Sequence, residues 1–132
     1  MKAGGQQSAD HKGLILVIED NRDVREMMCS LLTELGFQVL SAENGQAGIK
    51  SAATSLPDVA LVDIDLPDMS GYDIARQLKG TAATAGIRLI AVTGYGQESD
   101  HQTALASGFD GHLKKPVRID DVLLAIGTVQ RR

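Results

Sequence analysis

The sequence has few of the residues on which several kinds of protein depend. Its 132 residues include one cysteine, no tryptophan, two tyrosines and two phenylalanines. A lone cysteine, Cys29, cannot form an internal disulfide or a cysteine-based metal cage, so we expect a buried, reduced thiol in its amphipathic surroundings. Four aromatic rings are too few for the stacking platforms of nucleic-acid binders or the aromatic belts of membrane proteins. Aliphatic side chains must therefore fill the core.

Long apolar runs and an excess of basic charge are also missing. The longest apolar run, Leu14–Ile18, has the length of a strand, whereas a membrane-spanning helix needs about 20 apolar residues. The 13 basic and 17 acidic residues give a net charge of −4, which disfavours direct nucleic-acid binding. Residues 1–12 are polar and lack the apolar stretch of a signal peptide. We therefore expect a disordered N-terminal lead-in and a cytoplasmic protein without membrane contact.

From residue 13 the chain alternates between short β-branched runs and segments with helical spacing. The runs are mostly apolar on both faces, which is typical of parallel strands covered on both sides. In the first helical segment Asn21 can cap the start and Gly36 ends it. The predicted strands are Leu14–Ile18, Gln38–Leu40 with Phe37, Val59–Val62, Leu89–Val92 and Gly111–Leu113, and the later predicted helices are Gly45–Thr54, Gly71–Lys79, Glu98–Ser107 and Ile119–Thr128. Five βα units predict a doubly wound, three-layer α/β domain over residues 13–130, with a five-stranded parallel sheet in the order 2-1-3-4-5.

Polar residues gather where the predicted strands end, which is the edge at which doubly wound folds bind ligands. Glu19 and Asp20 follow the first strand, and Asp63 follows the third, its neighbour in the sheet. Three acids held together repel one another, and a cation that accepts a few oxygen ligands, Mg²⁺, would relieve that repulsion. Each acid alone could instead cap a helix N-terminus. Three acids on adjacent strand ends favour the metal.

The fourth and fifth strands add a hydroxyl and a positive charge to the same edge. Thr93 ends the fourth strand, and Lys115 follows the fifth. Together with a divalent ion, these two side chains would surround the oxygens of an anion. Pro116 fixes the chain directly after Lys115, which would aim the lysine inward, whereas we expect the neighbouring Lys114 to point into solvent.

Taken together, these motifs resemble the receiver domain of two-component response regulators, which has a flavodoxin-like fold. The resemblance rests on Glu19-Asp20, the run Val62–Pro67, Met69-Ser70-Gly71, Thr93 and Lys115-Pro116, and it covers roughly residues 13–127. It implies that Asp63 accepts a phosphoryl group from a sensor histidine kinase or a histidine phosphotransfer protein, so that the chain is a switch and not an enzyme. It also implies a Mg²⁺ or Mn²⁺ ion bound by Glu19, Asp20, Asp63 and the backbone carbonyl of Asp65, with Thr93 and Lys115 on phosphoryl oxygens.

The resemblance also suggests a setting and an output surface. The stretch Thr93–Gln97, together with Gly108–Leu113, is most similar to receivers attached to hybrid sensor histidine kinases. This makes an excised phosphorelay receiver or a small stand-alone regulator the expected context. Asp65 and Tyr95 occupy positions that influence hydrolysis of the acyl phosphate in the family. We expect an output partner on the face of the fourth helix, fifth strand and fifth helix, on or near which lie Glu98, Asp100, His101 and Gln102.

His112 departs from the family pattern. Many receivers carry Tyr or Phe three residues before the active lysine, and that ring turns inward as the threonine moves to the phosphate. Here the position holds a histidine. We expect a half-exposed strand histidine, and the alternative is an imidazole that swings as the ring does and adds pH sensitivity. Thr93 and His112 are therefore the candidate switch residues.

Two other functions fit parts of the pattern. Asp63-x-Asp65 after an apolar strand resembles the nucleophile motif of haloacid-dehalogenase-type phosphatases, with Thr93, Lys115 and the pair Asp120-Asp121 further along. In that family the motif lies on the first strand, whereas two βα units precede it here, and Asp120-Asp121 fall where a helix begins. A receiver-like interaction module that is never phosphorylated is the other alternative. The intact set of Asp63, Thr93 and Lys115 disfavours it.

Overall fold

The computed structural model describes residues 12–94 and 100–127, over which five strands alternate with five helices. The strands are β1 (Leu14–Ile18), β2 (Gln38–Ala42), β3 (Val59–Asp63), β4 (Arg88–Thr93) and β5 (Gly111–Lys114). The helices are α1 (Arg22–Glu34), α2 (Gly45–Ser55), α3 (Gly71–Gly80), α4 (Asp100–Ser107) and α5 (Ile119–Ile126). The predicted helix ends at Glu98 and Thr128 lie outside the described residues.

The strands form one parallel sheet in the order β2-β1-β3-β4-β5, which confirms the predicted topology. Four strands are longer than predicted, because β2 continues to Ala42, β3 includes Asp63, β4 includes Arg88 and Thr93, and β5 includes Lys114. These added residues pair with a neighbouring strand, for example Thr93 with Lys114. Backbone pairing therefore extends the strands past the end of the apolar pattern.

Alternate residues of the central strands enter two separate cores, one on each face of the sheet. One core takes Leu16, Val62 and Ala91 and packs them against Ile74 and Leu78 of α3. The other core contains Ile15, Val17, Leu61, Ile90 and Val92 from the sheet, Met28 and Leu32 from α1, and Val122 and Ile126 from α5. This is the predicted three-layer arrangement, in which helices cover both faces of the sheet and bury its central strands.

The first helix follows its sequence signals. Asn21 is the N-cap, with its side-chain oxygen accepting a hydrogen bond from the amide of Val24 at 3.0 Å. Gly36, just past the last turn, has a φ of 102°, a conformation that favours glycine. Cys29 on this helix is only half-buried, so the expected burial of its thiol is wrong in degree. It lies on the flank of the helix against the second core, and partial burial raises the pKa of its thiol.

None of the helices in the described ranges combines the length and apolar character needed to cross a bilayer.

Candidate functional site

Three carboxylates meet at the carboxyl edge of the sheet. Glu19 and Asp20 follow β1, and Asp63 is the last residue of β3, which pairs with β1. One carboxylate oxygen from each residue lies within 4.8 Å of the others. Glu19 and Asp63 are 1% and 4% exposed, whereas Asp20 is exposed. The predicted acidic cluster is therefore present, with two acids inside the protein and one at its surface.

Short backbone contacts fix the two buried acids. The amide of Glu19 donates to the carbonyl of Ala42 at 3.0 Å, which continues the β1–β2 pairing by one residue. Its Oε2 accepts a hydrogen bond from the amide of Asn21 at 3.1 Å. Asp63 pairs with Val92 of β4, and its Oδ1 accepts from the amide of Asp65 at 3.2 Å. Each buried carboxylate is thus held by an amide two residues further along the chain.

Lys115 lies directly against these acids. Its Nζ is 3.0 Å from Glu19 Oε1 and 3.6 Å from Asp63 Oδ2, and its amide donates to the carbonyl of Thr93 at 2.7 Å. The Lys115–Pro116 peptide bond is cis. Attraction to two buried carboxylates brings the ammonium beside both of them. Lys114 is exposed, as predicted.

Burial and the neighbouring charges change the proton affinity of Asp63, the phosphoacceptor candidate. Burial, followed by the nearby Glu19 charge, raises the pKa of Asp63 from 3.8 to about 7, against the opposing effects of the Asp65 amide and Lys115. Burial alone would lower the pKa of Lys115, but its contacts with Glu19 and Asp63 outweigh that effect and raise it. Lys115 is therefore charged at neutral pH, while Asp63 is divided between its protonated and ionised forms.

The residues at the cluster fit a small divalent cation. All side-chain donors are oxygens, and one of the three acids is open to water, which suits Mg²⁺ because it keeps several water ligands. Glu19 Oε1 is buried and has no well-aligned hydrogen-bond donor among the described residues, although Lys115 Nζ is close. An oxygen in that state is a suitable metal ligand. Asp65 contacts the cluster through its amide, and its carbonyl stays a predicted ligand.

Thr93 and His112, the candidate switch residues, are joined by a hydrogen bond. Thr93 Oγ1 lies 2.9 Å from His112 Nε2 and 3.4 Å from the carbonyl oxygen of Leu113. Thr93 is buried and His112 is half-buried, which confirms the expected exposure of the histidine. The bond itself was not predicted from the sequence. The register carried the signal, because His112 pairs with Ala91 and so shares a face of the sheet with Thr93.

Two further side chains form hydrogen bonds with backbone atoms near the acids. Arg25 Nη1 on α1 donates to the carbonyl of Glu19 at 2.9 Å and to that of Asp20 at 3.3 Å. Asp68, in the loop after β3, accepts from the amides of Gly45 and Gln46 at 2.7 and 2.9 Å, and these bonds lower its pKa. Arg25 follows the N-cap by one helical turn, but its partners are backbone carbonyls, so this spacing alone does not predict the contact. Asp68 caps a helix that is distant in sequence, so no local pattern predicts it.

Gly71 holds the first turn of α3 against the phosphoacceptor candidate. A β-carbon at this position would lie 2.8 Å from the carbonyl oxygen of Asp63 and 2.8 Å from the Cα of Ile64. Both are backbone atoms, so a side chain would force the helix away from the strand end. The resemblance included Gly71 in its motif, and the structure gives the steric reason for a glycine there.

A family model described as the response regulator receiver domain matches residues 15–127. The chain is a response regulator receiver domain. Membership of this family supports a phosphoacceptor function in two-component signalling and does not favour the phosphatase or the unphosphorylated module. The order and parallel pairing of its strands are those of the CheY-like fold.

Individual relatives agree with this assignment. The receiver is 36% identical to Protein PilH of Pseudomonas aeruginosa over 115 residues, which are 87% of this chain and 95% of that protein. It is 35% identical to the phosphate regulon transcriptional regulatory protein PhoB of Klebsiella pneumoniae over 118 residues, 89% of this chain and 52% of that protein. The chain therefore spans about half the length of the curated relatives of the PhoB type.

Among solved structures, the receiver resembles the signal receiver domain of a signal transduction histidine kinase from Syntrophus aciditrophicus. The two share 32% identity with a TM-score of 0.75, over 86% of this chain and 84% of the other. Receivers of several kinds are thus similar to this one. The expected link to hybrid kinases is not confirmed, and residues 95–97 of the stretch that suggested it lie outside the described residues.

Proposed function

We propose that Asp63 accepts a phosphoryl group from the phosphohistidine of a sensor histidine kinase or a histidine phosphotransfer protein. The observation that carries this proposal is the meeting of the Glu19, Asp20 and Asp63 carboxylates within 4.8 Å, with Lys115 Nζ 3.6 Å from Asp63 Oδ2. In the transfer, an Asp63 carboxylate oxygen forms a bond to phosphorus. The bond between phosphorus and the donor imidazole breaks, and its electron pair leaves with the imidazole nitrogen.

Glu19, Asp20, Asp63 and the backbone carbonyl of Asp65 would hold Mg²⁺ or Mn²⁺. When bound, the ion supplies positive charge that offsets the phosphoryl oxygens. The side chains of the protein itself prepare the nucleophile and bind the phosphoryl group. Asp63 has to lose its proton before it acts as a nucleophile, and the Lys115 charge beside it favours the ionised form. Lys115 would exchange part of its contact with the acids for a phosphoryl oxygen.

Thr93 would change partners when Asp63 is phosphorylated. Its hydroxyl is bonded to His112 at 2.9 Å, and a phosphoryl oxygen is a stronger, charged acceptor for the same hydroxyl. The loss of the Thr93 contact releases the imidazole, which couples the phosphorylation state to β5. A partner-binding change on the face of α4, β5 and α5 would follow from this movement. Gln102 on that face is exposed; Glu98 and the side chains of Asp100 and His101 lie outside the described residues.

Two positions would set the lifetime of the acyl phosphate. Asp65 is exposed beside the acceptor, where it can bind or orient a water molecule. Tyr95, which would screen the phosphoryl group from water, lies outside the described residues. Autodephosphorylation, a cytoplasmic location and a place either within a hybrid kinase or as a stand-alone regulator belong to the same proposal.

The decisive experiment adds Mg²⁺ and acetyl phosphate to the protein and measures its intact mass. We expect the mass of one added phosphoryl group in the parent protein and none in Asp63→Asn. Asp73→Asn is the matched control, because Asp73 is exposed and pairs with Arg76 on α3, outside the acidic cluster. Failure of the parent to gain mass from acetyl phosphate or a histidine kinase would contradict the proposal. Repeated turnover of unrelated phosphomonoesters would support the phosphatase instead.

A further inference from the structure

Arg25 reaches from α1 back over the start of its own helix. The side chain is half-buried, and its Nη1 donates to two consecutive carbonyls, that of Glu19 at 2.9 Å and that of Asp20 at 3.3 Å. Arg22 lies three residues earlier on the same helix and behaves differently. Its side chain is exposed and pairs with Glu26 at 3.2 Å. Arg25 therefore contacts the backbone of the site, whereas Arg22 forms an ordinary surface ion pair.

The carbonyls that Arg25 binds belong to the short link between β1 and α1. The last paired residue of β1 is Ile18, opposite Ala42 and Val62. After it, Glu19 keeps an amide bond to Ala42, but the chain then leaves the sheet to enter the helix at Asn21. Arg25 is the donor that the Glu19 and Asp20 carbonyls share. A backbone carbonyl with a donor fixes the peptide plane and, with it, the direction of the neighbouring side chains.

The two acids depend on this contact to different degrees. Glu19 is buried and also held through its amide and its Oε2. Asp20 is exposed, and within residues 12–94 and 100–127 its hydrogen bond is the one that Arg25 donates to its carbonyl. Loss of Arg25 would therefore loosen Asp20 more than Glu19 and widen the spacing between the three carboxylates.

Charge alone predicts the opposite effect. A guanidinium beside an acidic cluster repels a divalent cation, so removing it should tighten metal binding if Arg25 acted only through its charge. Removing a contact that orients metal ligands should weaken binding, commonly by about tenfold or more. The sign of the change in affinity therefore separates the two roles. A lysine in this place would keep the charge without the planar fork that reaches both carbonyls.

We propose that Arg25 is a positioning residue of the metal site, and that it holds the Glu19-Asp20 link so that both carboxylates face Asp63. This inference rests on the proposed function, because it requires that the cluster bind a divalent ion. It adds a residue that touches neither the ion nor the phosphoryl group.

The test measures the dissociation constant for Mg²⁺ by calorimetric titration of the parent, Arg25→Ala, Arg25→Lys and the control Arg22→Ala. We expect Arg25→Ala to bind about tenfold more weakly, Arg25→Lys to fall in between, and Arg22→Ala to match the parent or bind slightly tighter. Repeating the titrations at higher salt should shrink any charge effect and leave the positioning effect in place. Equal or tighter binding by Arg25→Ala would overturn the inference.

A second readout uses the protein without metal. In carbon-13 NMR spectra, the carbonyl signals of Glu19 and Asp20 should shift in both Arg25 variants, while those of Val59 on β3 stay in place. Unchanged Glu19 and Asp20 signals would overturn the inference even if metal affinity fell. A parent protein that does not bind Mg²⁺ would refute the metal site and this role together. Normal parent binding with an unaffected Arg25→Ala would refute the role of Arg25 alone.

Discussion

The proton affinity of Asp63 makes a prediction about stability that requires neither a phosphodonor nor a partner. In the folded protein, burial and Glu19 raise the pKa of Asp63 from 3.8 to about 7. Between these two values the folded state holds a proton that the unfolded state releases. The free energy of unfolding should therefore fall as pH rises through this range in metal-free buffer, and the ionised Asp63 should be fully destabilising above it.

Asparagine at position 63 removes the free-energy cost of burying an ionised carboxylate. Asp63→Asn keeps the size of the side chain and an oxygen to accept from the Asp65 amide, but it has no charge to bury. The interval from 3.8 to about 7 corresponds to about 4 kcal/mol at roughly 1.4 kcal/mol per pH unit. The value of about 7 already includes the opposing effect of Lys115, and screening by solvent at the open side of the cluster reduces the figure further, so we expect a gain of about 2 kcal/mol at pH 8.5.

The assay is urea-induced unfolding, followed by circular dichroism in EDTA, at pH 5 and pH 8.5. Asp63→Asn should be more stable than the parent at pH 8.5 and by a smaller margin at pH 5, where only part of the interval above 3.8 has been crossed, while the surface variant Asp73→Asn should follow the parent at both. Excess Mg²⁺ should then raise the stability of the parent more than that of Asp63→Asn, because the ion binds the folded carboxylates. A difference that is equal at the two pH values, or a less stable variant at pH 8.5, would refute the reasoning.

Three further predictions follow from single contacts. Gly71→Ala should lower the free energy of unfolding by about 1–3 kcal/mol in urea titrations, because its β-carbon would meet backbone atoms at 2.8 Å. Gly80→Ala, where an added β-carbon would meet nothing within 4 Å, should be neutral or stabilising. Equal effects of the two substitutions would contradict the steric account. Asp68→Asn should lower the melting temperature at pH 7, because the ionised carboxylate accepts from the first amides of α2. The difference from the parent should shrink as pH falls through the depressed pKa of Asp68. An unchanged melting temperature at pH 7 would argue against this cap on α2. His112→Phe removes the imidazole that is hydrogen-bonded to the Thr93 hydroxyl. In NMR spectra of the unphosphorylated variant, the Thr93 methyl signal should therefore move toward the position that it has in the phosphorylated parent protein. A signal that stays in place would show that the hydrogen bond does not restrain Thr93.

The sequence predicts the sheet well, because strands buried on both faces have to be apolar along their length. Ile15, Val17 and Leu61 enter one core, while Leu16 and Val62 enter the other. The unbroken apolar runs in the sequence indicate this burial on both faces. The strand ends are less well predicted. Thr93 and Lys114 extend their strands through pairing with a neighbour, which depends on the register and not on the hydrophobicity of either residue.

The site also contains residues whose positions the sequence predicts and residues whose positions it does not. Glu19, Asp20 and Asp63 could be placed together from the sequence, because parallel strands deliver their carboxyl ends to one edge of the sheet. The position of Lys115 could not, since it depends on which carboxylates are left unneutralised once all three are in place. Its ammonium lies 3.0 Å from Glu19 Oε1 and 3.6 Å from Asp63 Oδ2, and the sequence alone does not give this choice of partners.

The residues that the sequence missed share one property: they act through backbone atoms. Arg25 binds the carbonyls of Glu19 and Asp20, and Asp68 binds the amides of Gly45 and Gln46. A backbone carbonyl or amide is present at every position, so nothing in the identity of these partner residues records the contact. Side-chain chemistry therefore reveals the acceptor and the metal ligands, whereas the supports that hold them in place become visible only when the chain is folded.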